Sequence, residues 1–178
     1  MTIRNILKLT CSGMILTAMA ILSCITPIHA DAASITNGGN KMQATEFTTI
    51  FQTGPKNDAY AQYFVGQSYL NMLSLEQVII GNVTFEPGCR NNWHIHHADN
   101  GGGQILLVTG GRGYYQEWGK PARELHPGDV VNIPAGVKHW HGAAPTSWFA
   151  HLAVEVPGEN SSNEWLEPVN DADYSILK

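Results

Sequence analysis

The sequence predicts an all-β chain folded as a single jelly-roll barrel or sandwich, and three observations carry that expectation. Short runs rich in Val, Ile, Tyr and Phe recur between Gly, Pro, Asn and Asp turns, roughly every eight to twelve residues. No stretch before the carboxyl-terminal tail repeats its apolar residues with a helical period. The length, 178 residues, suits one domain.

The amino terminus reads as a leader rather than as fold. Arg4 and Lys8 precede an apolar run over residues 14–22, and Ile28-His29-Ala30 ends on a small residue. That is the pattern of an export signal over residues 1–30, cleaved after Ala30. An uncleaved membrane anchor is one alternative. Lipid attachment at Cys24, after Leu22-Ser23, is another. The expected location is therefore periplasmic or secreted, with membrane contact only if the leader is uncleaved or Cys24 is lipidated. Cleavage removes 30 of the 178 residues and two of the ten basic ones, so the formal charge of −5 becomes −7. A mature chain that is acidic and lacks a basic cluster is not expected to bind nucleic acid. Cys11 and Cys24 leave with the leader. Cys89 then has no intrachain partner, and a small buried thiol beside Gly88 is the expectation.

Residues 31–58 read as a flexible arm and edge segment, and residues 59–178 as the barrel domain. Asn37-Gly38-Gly39-Asn40 makes the arm polar, and residues 47–51 suit an edge strand or short helix. A turn at residues 54–58 precedes strands at 60–65 and 67–73, aromatic and apolar in composition. Val78-Ile79-Ile80 and Val83 mark the next strand, which Pro87-Gly88 ends. Residues 104–109 suit a buried strand, and Gly110-Gly111-Arg112-Gly113 is expected to turn it into a hairpin. Residues 114–118 go out, Gly119-Lys120-Pro121 turns, and 123–126 return. Pro127-Gly128-Asp129 leads into 130–133, and Pro134-Ala135-Gly136 ends it. A long strand over 148–156 follows. Residues 163–174 are expected to close the chain by packing on the outside of the sheet.

Five of the eight histidines fall in two short clusters, Trp93-His94-Ile95-His96-His97 and Lys138-His139-Trp140-His141-Gly142. Residues two apart on a strand face the same way. His94 therefore shares a face with His96, and His139 with His141. Two such pairs facing one interior make a nitrogen-rich metal site. His97 faces the other way and is not a ligand. His126, at a turn, is structural. Trp93, Trp140 and Trp148 are core or pocket wall. Gly101-Gly102-Gly103 lacks the Lys and the strand-to-helix setting of a phosphate loop.

The central stretch resembles the cupin family. Five residues separate Gly88 from His94-Ile95-His96, and six separate Gln104 from Gly111, as in the first cupin motif. Two departures are a longer gap after His96 and Gln in place of Glu. Gly128, Pro134, Gly136 and His139 fit the second motif, with Ala143 where Asn is common. The resemblance implies a single jelly-roll cupin barrel. Residues 60–174, through Val83-Thr84-Phe85-Glu86-Pro87-Gly88, His126-Pro127-Gly128-Asp129 and His139-Trp140-His141-Gly142, resemble small bacterial cupins of the hydroxynitrile-lyase-like group. That group is described beside carboxymuconolactone-decarboxylase-type cupins. The resemblance implies a divalent metal, Mn or Fe first and Zn, Ni or Cu as alternatives, held by His94, His96, Gln104 and His139. Asp99 or water are the rivals of Gln104. It also implies active-site roles for His141 and His151, and a homodimer. Four uncharged ligands would leave the ion its full +2 charge, suited to an anion forming on a substrate.

Three functions compete. The first is a metal-dependent lyase-like enzyme on a small oxygen-bearing organic substrate, with the metal as Lewis acid and His141 or His151 moving the proton. The second is a dioxygenase of the quercetinase type, marked by oxygen uptake. The third is a non-enzymatic module that captures a small acid or sugar.

Overall fold

A computed structural model describes residues 47–178. The expected leader, with Cys11 and Cys24, and most of the arm lie outside the described residues. From the amino-terminal side, the elements are a 3-10 turn (Asp58–Tyr63), β1 (Phe64–Val65), β2 (Ser68–Ser74), β3 (Ile80–Phe85), β4 (Arg90–Asn91) and β5 (His94–His97). There follow β6 (Asn100–Gly101), β7 (Gln104–Gly111), β8 (Gly113–Glu117), β9 (Arg123–Leu125) and β10 (Val130–Ile133). The chain closes with β11 (His139–Ala143), β12 (Phe149–Glu155), β13 (Gly158–Glu159), β14 (Ser162–Trp165) and a short helix, α1 (Asp171–Ser175).

Two antiparallel sheets hold nearly all of these strands. One runs β10-β7-β12-β3-β2. The other runs β1-β4-β11-β5-β14, with β8 and β9 attached to β11. A small third sheet pairs β6 with β13. The expected all-β jelly roll is the architecture observed.

Alternation explains what lies between the sheets. On β7, Gln104, Leu106 and Val108 are buried while Leu107 reaches solvent. On β12, Phe149 and His151 share a face with Ala153 and Glu155. Phe85, Leu106, Val108, Leu125, Ile133 and Phe149 form the apolar floor, each contributing about 1.5–3 kcal/mol on burial. Every residue of β11 is buried. Ala143 belongs to the floor, whereas Trp140 joins Trp93, Tyr114, Val169 and Tyr174 in a second cluster. Strand β11 is thus covered on both faces, one by the barrel interior and one by the tail.

Several local expectations give way to tertiary contacts. Residues 60–63 are not a strand but the end of the 3-10 turn, and only Phe64 and Val65 pair. In such a turn side chains three apart eclipse. Tyr60 and Tyr63 therefore both reach Trp165, with ring centroids 6.4 and 4.6 Å away. Residues 47–51 are neither strand nor helix. They lie against the β10–β2 sheet, where Phe47 stacks on Trp148 and Asn82 Nδ2 donates to the Gln52 carbonyl. The tail does more than cover a sheet: β14 extends it at β5, with Trp165 opposite His94.

Residues 110–113 are not a hairpin turn. Strand β7 pairs with β10 and β12, and β8 with β9 and β11. The segment crosses from one sheet to the other. Arg112 N–H donates to the Trp148 carbonyl and Ala144 N–H to the Arg112 carbonyl. Gly111 has φ +70°, and a Cβ there would sit 1.9 Å from the Trp148 carbonyl oxygen. The glycine serves backbone close approach rather than a reversal. Gly111→Ala is predicted to destabilise far more than Gly119→Ala, where φ is +77° but no atom lies within 4 Å. The second change carries only the left-handed backbone penalty, roughly 1–2 kcal/mol. Thermal melting of both variants checks this, and equal losses would contradict the close crossing.

Candidate metal centre

The two sheets meet over the site with different residues. From one sheet, His139 on β11 stands directly opposite His94 on β5. His96 follows on the same face. From the other sheet, Gln104 on β7 stands directly opposite Glu155 on β12. His94, His96, His139 and Gln104 are all buried. One ring nitrogen from each of His94, His96 and His139 lies within 4.8 Å of the others.

His94 and His139 each have one nitrogen already committed. His94 Nδ1 donates to the Asn92 carbonyl at 3.0 Å, and His139 Nδ1 to the Val137 carbonyl at 2.9 Å. Both acceptors lie two residues upstream on the same strand approach. His96 Nδ1 lies 3.1 Å from Glu155 Oε2 without making a hydrogen bond to it. With Nδ1 protonated, Nε2 carries the lone pair, which is the form that ligates a metal. Nε2 of His96, Nε2 of His139 and Oε1 of Gln104 are buried with no hydrogen-bond partner. Buried polar atoms are normally paired, and each unpaired one costs about 1–3 kcal/mol. Three convergent imidazoles with lone pairs free, beside an amide oxygen, fit a divalent first-row ion.

Burial sets the charge of these rings. His94 is held well below the ordinary imidazole value, first by desolvation and then by His139 beside it. Desolvation pulls His139 down to about 4 against the opposing Val137 hydrogen bond. His94 and His139 are therefore neutral at pH 7, as ligands must be.

Deeper in the same interior, His141 and His151 face each other from opposite sheets. His151 Nε2 lies 3.0 Å from His141 Nδ1. Desolvation lowers both, His151 to about 4, and in His141 the neighbouring His151 adds to the effect. Asn91 fixes the arrangement. Its Oδ1 accepts from the His141 backbone N–H at 2.9 Å, so its Nδ2 must donate toward the ring, 3.1 Å from Nε2. Nδ2 also lies 3.3 Å from Nδ1, so Nε2 is the nearer of two ring contacts; with Nε2 accepting, the ring proton stands on Nδ1, toward His151.

The other sequence candidates separate cleanly. His97 is exposed and meets Glu164 at 2.7 Å. Asp99, the rival to Gln104, is held by Asn160 and does not line the site's cavity. His126 is exposed at its turn beside Glu124. Cys89 is free and buried, and burial pushes its thiol up to about 12. Trp93, Trp140 and Trp148 are core.

Sequence reasoning missed three residues. Glu155 holds both His96 and Gln104. It lies four residues after His151, so strand alternation already put it on the interior face. Asn91 orients His141, and no motif marks it. Trp165 stacks on His94 with centroids 4.7 Å apart, a contact that depends on β14 joining the sheet.

Comparisons with known proteins bear on the fold and the family. The family model described as "Cupin domain" matches residues 81–152. The (R)-mandelonitrile lyase of Granulicella tundricola is 47% identical over 93 residues, covering 52% of this chain and 68% of that one. The crystal structure of a cupin-like protein from Thermotoga maritima is 39% identical with a TM-score of 0.62, covering 72% of this chain and 96% of that one. With its two motifs meeting between the sheets and these relatives matched across them, the chain belongs to the cupin family.

Proposed function

We propose that this cupin is a metal-dependent lyase that splits an uncharged α-hydroxynitrile or a related hydroxy compound into a carbonyl compound and a small anion. The observation that carries this reading is a pair of neutral imidazoles, His141 against His151, sharing one interior with the three-histidine cluster. The likeness to an (R)-mandelonitrile lyase supports the substrate class. A divalent ion held by His94, His96, His139 and Gln104 would supply Lewis acidity at the substrate oxygen.

The cavity leading to the site has a volume of about 540 Å³. Phe64, Leu70, Met72, Ile79, Val83 and Ala153 give it an apolar wall, and His141 lines it as well. Among the described residues, Glu155 is the one carboxylate on that lining, and no Lys or Arg stands there. Such a wall suits a substrate with an apolar or aromatic body and no negative charge, which disfavours capture of a small acid. His141 accepts the hydroxyl proton at Nε2, displacing the Asn91 hydrogen bond. It can release its Nδ1 proton to His151 Nε2. As the carbon–carbon bond to the nitrile breaks, its electron pair leaves with cyanide and the hydroxyl carbon becomes the carbonyl. Cyanide then takes up the proton.

His94→Ala or His139→Ala is expected to weaken metal binding by at least the roughly 10–100-fold that loss of an outer partner costs. The barrel should still fold, because Phe85, Leu106, Val108, Leu125, Ile133 and Phe149 of the apolar floor are left unchanged. Elemental analysis after dialysis, paired with circular dichroism, checks both points. Full metal content in either variant would contradict the site.

His141→Ala is expected to keep its metal while release of benzaldehyde and cyanide from mandelonitrile falls by roughly 10²–10⁴-fold. The sign of the pH effect follows from the lowered imidazoles. A protonated ring cannot accept, so activity is lost only as pH falls through the lowered value. The acid limb of kcat/KM should lie well below pH 6.5, where an ordinary imidazole titrates. Metal loss in the variant would instead make His141 a ligand, and unchanged turnover would remove it as the base.

A further inference from the structure

We infer that Glu155 is a positioning residue for the metal centre, one carboxylate that fixes the amide of Gln104 and the ring of His96 at the same time. The inference rests on the metal-centre reading above and adds a residue to it. His94 and His139 each have Nδ1 tied to a backbone carbonyl. His96 is different, because its Nδ1 faces Glu155 Oε2 at 3.1 Å. The other carboxylate oxygen, Oε1, accepts from Gln104 Nε2 at 3.1 Å.

An amide side chain is ambiguous until a partner selects its ends. A carboxylate can only accept, so it takes the N–H₂ end of Gln104 and leaves Oε1 as the free end. That oxygen is buried without a hydrogen-bond partner. Beside His96 the carboxylate acts by proximity of charge: Oε2 stands 3.1 Å from Nδ1 without a formed hydrogen bond, which favours the proton on Nδ1 and the lone pair on Nε2, and both ring nitrogens are buried. Both would-be ligand atoms are thus set by one side chain. The strand register makes this possible, since Gln104 and Glu155 are direct cross-strand partners.

Glu155→Gln is the informative change because it keeps size and removes the double acceptor. A Gln has one accepting and one donating end. Whichever way it turns, it presents N–H₂ to His96 Nδ1 or to Gln104 Nε2, and one ligand is driven into the wrong state. The test is Mn²⁺ titration of the metal-free full-length protein in four forms: wild type, Glu155→Gln, Gln104→Ala and the double variant. Wild type should bind one Mn²⁺, and Glu155→Gln should bind it roughly 10–100-fold more weakly. The two losses should combine to much less than their product, because Glu155 acts partly through Gln104. Long-range ¹⁵N NMR of the metal-free wild type should show the His96 proton on Nδ1, and Glu155→Gln should lose that preference. Affinity unchanged within about twofold, or losses that multiply fully, would overturn the role of Glu155 while leaving the metal site standing. A wild type that binds no Mn²⁺ would overturn both.

Discussion

The centre depends on how the three cluster histidines are held in place. Two rings are tied by backbone carbonyls and one faces a carboxylate. Backbone acceptors at Asn92 and Val137 cannot be mutated away, so two of the three presumptive ligands are oriented by the fold itself. The barrel supplies this by bringing β11 beside β5 with His139 opposite His94. A one-residue slip of that register would turn both rings out of the interior.

The cost of the arrangement shows what it is for. Nε2 of His96, Nε2 of His139 and Oε1 of Gln104 are buried and unpartnered. At about 1–3 kcal/mol each, they consume a substantial part of the net stability of a domain this size. The apolar floor of Phe85, Leu106, Val108, Leu125, Ile133 and Phe149 offsets that cost. Stabilising apolar residues and unpartnered polar groups share one barrel interior, with Phe85 in ring contact with both His141 and His151. Desolvation acts throughout this interior, holding His94, His139, His141 and His151 neutral. The same dryness that favours ligation keeps the His141–His151 pair able to accept a proton.

Much of this was legible in the chain. The strand period of two places His94 with His96 and His139 with His141, and both pairs do face the interior. Spacing alone also marks His97 as outward. What stayed hidden required partners distant in sequence. Residues 60–63 carry aromatic side chains of high strand propensity, yet Trp165, about a hundred residues on, draws them into a turn. Gly110-Gly111-Arg112-Gly113 has the composition of a hairpin, but only tertiary structure shows that Trp148 and Gly142 backbone crowd it from both sides. Glu155 carries no motif, and its function arises from standing across the strand from Gln104 and across the barrel from His96. Residues that orient ligands are harder to read than ligands, because geometry rather than chemistry selects them.

The central claim is that a divalent ion sits between the sheets on Nε2 of His94, His96 and His139. Diffraction from Mn²⁺-loaded crystals, recorded on either side of the manganese absorption edge, tests it most directly. The account predicts one anomalous peak bonded to those three nitrogens, with Gln104 Oε1 completing the protein ligands and His141 outside the coordination sphere. A peak bonded to Nδ1 of any cluster histidine, or one seated at His97 or Asp99 instead, would contradict it.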